Sequence, residues 1–266
     1  MKNVLLLVHE DPGQEARLQA ALDLTRALEG HLVCLDVADL YAPAAAMVNV
    51  PVEVSDMEED RLDRRTRLED RLAREGVSWT MNQALGDLAA CITRAAGLSD
   101  VIVLNRRLDS DPVPDMRGIV SQVVLKARKP VLAVAESCQG IDFSGPALVS
   151  WDGSLPATAA LTASVPMLKL ARSVNLLEIQ GSSSGTVRDA AIYLSRHGVH
   201  ADVDLLACFK DSAHETSAVI REVCLQNAYS YCVMGAYGNS LVRETLLGGV
   251  TRRMLAFSET PLLLAH

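Results

Sequence analysis

Short apolar runs alternate with longer amphipathic stretches along the whole chain. Val4–Val8 is an unbroken apolar run and predicts a strand. From Gln14 to Leu28 apolar residues recur at helical spacing (Ala16, Leu18, Ala21, Leu22, Leu24, Leu28), and Gly30 marks the stop. His31–Val37 returns to strand character, and residues 39–54 have no clear period and read as a loop. Ser55-Asp56-Met57-Glu58 spells a capping box that opens a charged helix through Arg74. Its i,i+4 pairs (Asp60/Arg64, Asp63/Arg67, Asp70/Arg74) fit a solvated face. Strands are predicted at Val77–Met81, Val101–Leu104 and Pro130–Val134, with helices Asp87–Ala96 and Gly118–Arg128 between them.

Residues 136–145 break this rhythm and read as a linker, after which the order restarts. Strands follow at Ala147–Ser150, Val174–Ile179, Asp202–Leu206, Tyr231–Met234 and Leu262–Leu264. Helices Ser154–Ala171, Thr186–His197, Thr216–Gln226 and Gly249–Phe257 separate them. Strand and helix in alternation is the mark of right-handed βαβ units and a parallel sheet.

The second half repeats the first. Asp100–Asn105 mirrors Ser230–Gly235 and Gly118–Ser121 mirrors Gly248–Thr251, both 130 positions apart. Lys129-Pro130 mirrors Thr260-Pro261 at 131, and Leu5–Val8 mirrors Ala147–Ser150 at 142. The first half therefore carries extra residues before its fourth strand, and the 39–54 loop is their expected place. The expected architecture is α/β: two doubly wound, Rossmann-like parallel-sheet domains, residues 1–137 and 143–266.

Composition narrows the partners. Aromatic residues are only 4%, so the core must come from Leu, Val, Ile and Ala, which suits helices on a parallel sheet. The net charge of −8, with no basic stripe, argues against a nucleic-acid partner. The opening apolar run is too short for a signal peptide, and no run reaches membrane-spanning length, so the expected location is the cytoplasm. The cysteines (Cys34, Cys91, Cys138, Cys208, Cys224, Cys232) form no C-x-x-C pair and read as buried reduced thiols. His197 and His200 straddle Gly198 at a helix end, a weak arrangement for a metal.

Three pieces of the second half carry chemistry. Trp151-Asp152-Gly153-Ser154 follows a strand and precedes a helix. Gly235-Ala236-Tyr237-Gly238 follows the fourth strand, and Gly248-Gly249-Val250-Thr251 opens the next helix. All three belong at the carboxyl ends of parallel strands, where ligands bind at the topological switch point. Glycines let the backbone come close to a ligand, and helix N-terminal amides suit phosphate oxygens. Asp152 suits a ribose hydroxyl or a metal ion beside phosphates.

The spacing Gly235-x-x-Gly238, nine residues, Gly248, then x-Val250-Thr251 resembles the nucleotide signature of universal stress proteins. That signature is G-x-x-G, nine residues, then G followed by Ser or Thr. Thr260-Pro261-Leu-Leu-Leu is similar to the family's last strand, and Asp152-Gly153-Ser154 to its first-strand ending. The resemblance spans nearly the whole chain as two tandem copies. It implies a five-stranded parallel sheet per copy, the two copies packed as a pseudo-dimer, and an adenine nucleotide, ATP or AMP with Mg²⁺, in the second. There Asp152, Gly153 and the main chain at Ile179 would hold the adenosine. Gly235, Gly238, Gly248, Gly249, Val250 and Thr251 would hold the phosphates.

Two departures stand out. Gly249 occupies a position where the signature prefers Ser or Thr. In the first half Asn105 and Leu108 replace both loop glycines, and His9-Glu10-Asp11 stands in place of Trp151-Asp152-Gly153. The first copy reads as degenerate, with Arg106 and Arg107 as solvated loop arginines.

Three functions stay open: a nucleotide-binding stress-response regulator, a ligand-free scaffold acting through association (including a homodimer), and a slow ATPase. The last is weakest, because no P-loop, Ser-Gly-Gly pyrophosphatase loop, nucleophile elbow or H-E-x-x-H motif is present. A flavin-binding module of like fold is a further alternative, which a coloured protein would reveal.

Overall fold

The computed structural model describes residues 1–38, 54–110, 114–180, 187–207, 212–238 and 249–266, with backbone only for 54–60, 180 and 207. The first repeat runs β1 (Asn3–Val8), α1 (Gln14–Ala27), β2 (His31–Ala38), α2 (Val54–Leu72), β3 (Ser78–Leu85), α3 (Leu88–Ala95), β4 (Val101–Asn105), α4 (Met116–Ala127) and β5 (Val131–Val134). The second runs β6 (Ala147–Trp151), α5 (Leu155–Leu168), β7 (Val174–Gln180), α6 (Val187–Arg196), β8 (Ala201–Ala207), α7 (Ala213–Gln226), β9 (Tyr231–Gly235), α8 (Gly249–Phe257) and β10 (Leu262–Ala265).

Helix starts follow local chemistry. Asp87, Asp115, Ser154 and Ser212 each accept a first-turn amide and cap α3, α4, α5 and α7. The caps of α4 and α7 place those helices two and three residues earlier than the apolar pattern alone suggests. In the described chain α2 begins at Val54, one residue before the capping-box spelling.

All ten strands form one sheet, in the order β3-β2-β1-β4-β5-β10-β9-β6-β7-β8. Each repeat keeps the order 3-2-1-4-5 with parallel neighbours. The repeats join through β5 and β10, which pair antiparallel with Leu263 opposite Leu132. Because the join is antiparallel, the strand carboxyl ends of the two repeats face opposite edges of the sheet. The interior strands β4, β5 and β10 are buried at every position, as expected for strands covered on both faces. One face packs on α1, α2, α5 and α6, the other on α3, α4, α7 and α8.

Strand register locates the extra residues. Equivalent positions lie 143 apart in the first strands (Val4, not Leu5, matches Ala147, one residue off the alignment read from sequence), 142 in the second (Leu32 and Val174), 122 in the third (Trp79 and Ala201) and 130 in the fourth (Val101 and Tyr231). The first repeat is thus 20 residues longer between its second and third strands, and 8 shorter between its third and fourth. Part of the surplus is α2 itself, 19 residues against 10 in α6. The 39–53 part of the expected loop lies outside the described residues.

Candidate functional site

In the second repeat the switch point lies between β6 and β9, whose outward crossovers run in opposite directions. The turn after β6 and the loop after β9 meet there. Asp152 is half-buried and its Oδ1 accepts the Ser154 amide at 3.0 Å, an Asx turn. Gly153 has φ +72°, the left-handed region that favours glycine. Ser154 then caps α5 by accepting from the Ala157 amide at 3.2 Å.

The loop after β9 sits directly on that cap. A Cβ on Gly238 would lie 2.9 Å from Ser154 Oγ. A Cβ on Gly235 would lie 2.4 Å from the Ala157 nitrogen and 2.7 Å from the Pro156 carbonyl carbon. Tyr237 donates its amide to Thr251 Oγ1 at 3.2 Å, which ties the loop to the first turn of α8. Ile179, near the end of β7, follows the residue paired with Trp151 and so lies beside the Asp152 turn. Val250 is half-buried against the core. The fold therefore brings together Asp152, Gly153, Ile179, Gly235, Gly238 and Thr251. Gly248 lies outside the described residues.

Gly249, where the signature prefers a hydroxyl, has a packing reason. It opens α8, and a Cβ there would meet the Ala213 Cβ, the first residue of α7, at 2.5 Å. The first-turn amides of α8, at Gly249, Val250 and Thr251, lack an upstream helical carbonyl, as at any helix start.

Among solved structures this chain is similar to a universal stress protein from Archaeoglobus fulgidus DSM 4304, with 15% identity and a TM-score of 0.73 over 99% of this chain and 95% of that one. It is also similar to a putative universal stress protein from Pseudomonas aeruginosa UCBPP-PA14 (15% identity, TM-score 0.61, 100% and 93%). A functionally unknown protein from Pseudomonas aeruginosa PAO1 matches at 16% identity and a TM-score of 0.59, over 100% and 92%. The chain has the universal stress protein fold. No protein-family model matches the sequence, and no curated protein does. At such identities the likeness speaks for fold, and function rests on the site.

The first copy of the universal stress protein fold is closed at its switch point. Arg17 of α1 is fully buried and spans the space between β1 and β4. Its guanidinium donates to Leu7 O (3.2 Å), His9 O (3.0 Å), both oxygens of Asp11 (2.7 and 2.9 Å) and Asn105 Oδ1. Asp11, 1% exposed at its side chain, also accepts from the Gly13 amide (2.9 Å) and pairs with His9 Nδ1 (3.0 Å). Burial alone would raise the Asp11 carboxyl, but the bonds from His9 and Arg17 outweigh it and hold the group below its ordinary value.

The copies also exchange glycines. Asn105 stands where the second repeat has Gly235, and it faces Gly13 at the start of α1, whereas Gly235 faces Pro156 and Ala157 at the start of α5. A Cβ on Gly13 would lie 2.5 Å from Asn105 Cγ. In each repeat one side of the strand–helix contact is a glycine.

One expectation is corrected outright. Arg106 is no solvated loop arginine: it is 6% exposed and donates to the Leu255 (3.3 Å) and Ala256 (3.0 Å) carbonyls at the C-terminus of α8 in the other repeat. A cation there meets the negative end of the helix dipole. Its sequence neighbours, Asn105 and Arg107, are polar and gave no sign of this burial. Arg107 does reach solvent, paired with Asp109 at 2.5 Å. Leu108 is buried in the core. Of the cysteines, Cys34, Cys91, Cys224 and Cys232 are buried and Cys138 half-buried, all as free thiols; Cys208 lies outside the described residues. His197 packs its ring on Tyr193, centroids 4.6 Å apart. Among the described residues no cluster of metal ligands occurs, and no helix is long and apolar enough to cross a membrane.

Proposed function

We propose that this chain is a stress-response regulator of the universal stress protein type that holds one adenine nucleotide, ATP or AMP, in its second domain. In this reading residues 143–266 form the nucleotide-holding domain and residues 1–137 its closed partner. The observation that carries it is the seating of Gly238 on Ser154, which lays the glycine loop over the Asp152-Gly153-Ser154 turn at the switch point. Asp152 commits one carboxylate oxygen to its own turn, which leaves the other to accept from a ribose hydroxyl or to meet Mg²⁺ beside phosphates. The α8 amides and a Gly238 without side chain suit phosphate oxygens. Thr251 accepts from Tyr237 but keeps its own hydroxyl hydrogen to donate. The Arg17–Asp11 ion pair argues against a second nucleotide in the first domain.

A ligand-free scaffold is the second reading. Gly235 and Gly249 favour it, since helix approach alone accounts for both.

The test is to denature the freshly purified protein, identify any released small molecule by mass spectrometry, and titrate the emptied protein with Mg-ATP and AMP by calorimetry. Near one adenine nucleotide per chain supports the regulator. Asp152→Asn keeps the Asx turn and removes the charge. It should weaken binding by about tenfold, the loss of one charge-assisted hydrogen bond. An empty protein that ignores both nucleotides establishes the scaffold. Asp152→Asn binding like wild type removes Asp152 from the site.

A further inference from the structure

Four described non-glycine residues have φ in the left-handed region: Glu29, Arg128, Ala228 and Tyr237. Three have an ordinary cause. Glu29, Arg128 and Ala228 each close a helix (α1, α4 and α7), where a left-handed residue commonly satisfies the last carbonyls. Tyr237 closes no helix. It lies between Gly235 and Gly238 with φ +63°, a conformation that costs a non-glycine residue energy.

The compensation for that cost crosses to the other repeat. The Tyr237 ring is buried, with the residue 7% exposed. Ser121 Oγ, on α4, gives its hydrogen to the Arg117 carbonyl at 2.7 Å, so the Tyr237 hydroxyl is the donor in the 2.7 Å bond to Ser121. The Tyr237 amide meanwhile donates to Thr251 Oγ1. Ser121 and Thr251 are the same position in the two repeats, 130 residues apart. One strained residue thus ties the glycine loop to equivalent hydroxyls on α4 and α8. The counterpart of Tyr237 in the first repeat is Arg107, which pairs with Asp109 instead.

We infer that Tyr237 is a positioning residue that sets the glycine loop for phosphate through its bond to Ser121, so that the first repeat tunes the affinity of the second. The inference rests on the nucleotide reading above. The closed first repeat then has a use of its own, because it supplies the hydroxyl that holds the other repeat's loop. Coupling of this kind is reciprocal, so nucleotide in the second repeat strengthens the joint between the repeats.

The full chain tests it, with Tyr237→Phe, Ser121→Ala, their double variant and Ser121→Thr, each titrated with Mg-ATP by calorimetry and melted with and without nucleotide. Loss of one neutral hydrogen bond should weaken binding about three- to tenfold in each of the first two variants. The double variant should lose no more than either single one, because both remove the same bond. Ser121→Thr, which keeps the hydroxyl, should return most of the affinity. A bond that only holds the repeats together would lower the melting temperature and leave affinity at the wild-type value; that result overturns the inference and spares the nucleotide site. Additive losses in the double variant overturn it too. A wild-type protein that takes up no adenine nucleotide overturns both this inference and the reading beneath it.

Discussion

Replacing Arg17 by Met removes a guanidinium that serves five acceptors at the first-repeat switch point. The Met side chain fills much of the volume, so the main loss is electrostatic. Asp11 stays buried without its counterion, held only by the Gly13 amide and His9. Breaking a buried ion pair from one side costs about 3–5 kcal/mol. The two remaining donors favour the low end, about 3 kcal/mol, or roughly 6–12 °C in melting temperature for a chain of this size. Urea denaturation at pH 7 measures it. The double variant Arg17→Met/Asp11→Asn should recover at least half, since no uncompensated charge remains. The pH dependence gives a second reading. In the wild type Asp11 is held below its ordinary value of 3.8, so its contribution is full above that value and fades as pH falls through the lowered one. In Arg17→Met the dominant remaining influence is burial, which raises the carboxyl. That variant should therefore gain on the wild type as pH falls from 7 to 5. A loss below about 1 kcal/mol, with no such convergence, would refute the claim that the ion pair closes this repeat.

Gly235→Ala places a Cβ against the Ala157 nitrogen and should destabilise the chain by about 1–3 kcal/mol, read in the same denaturation assay. A neutral result would mean α5 can back away from β9. Burial pushes the Cys34 thiol up to about 12, so it should resist iodoacetamide at pH 8 in the folded chain. Cys138, half-buried beside the linker, should be the first of the five described thiols to label, as peptide mapping would report.

The alternation of strands and helices was legible because both faces of the sheet are covered. Strands such as Val101–Asn105 then read as unbroken apolar runs, and the intervening helices show their own period. The repeat was legible wherever packing is tightest, in the fourth and fifth strands. The position of the surplus was harder. A 20-residue excess before the third strand is only partly offset by an 8-residue deficit after it, so a comparison of first and fourth strands shows the net surplus but not where it lies. The site turn was visible through Asp152-Gly153-Ser154, whose Asx turn and cap are local. The Arg17 bond to Asn105 and the bonds of Arg106 and Tyr237 to the other repeat were not. Each joins residues about 90 to 150 positions apart, and no local pattern encodes such partners.

The first repeat serves as an internal control for what a glycine signature means. Where its strand ends in Asn105, the facing helix begins at Gly13; where the second strand ends in Gly235, the facing helix carries Pro156 and Ala157. The contact needs one small partner, and either side can supply it, with or without ligand. Gly249 against Ala213 obeys the same logic between two helices. Glycines at these positions are therefore weak witnesses for a nucleotide, even at the signature's spacing. Asp152 is a stronger one. In the first repeat Asp11 makes the same turn, accepting from the Gly13 amide two residues on, but its charge is spent on the buried Arg17, whereas Asp152 stays half-exposed with one oxygen committed to its turn. A carboxylate kept at the edge of a switch point satisfies no packing requirement that Ser or Asn would not meet equally well. The nucleotide reading, carried by the Gly238 loop lying over the Asp152 turn, should therefore be tested on the charge of Asp152, and the Gly235 and Gly249 variants read first as measures of helix packing.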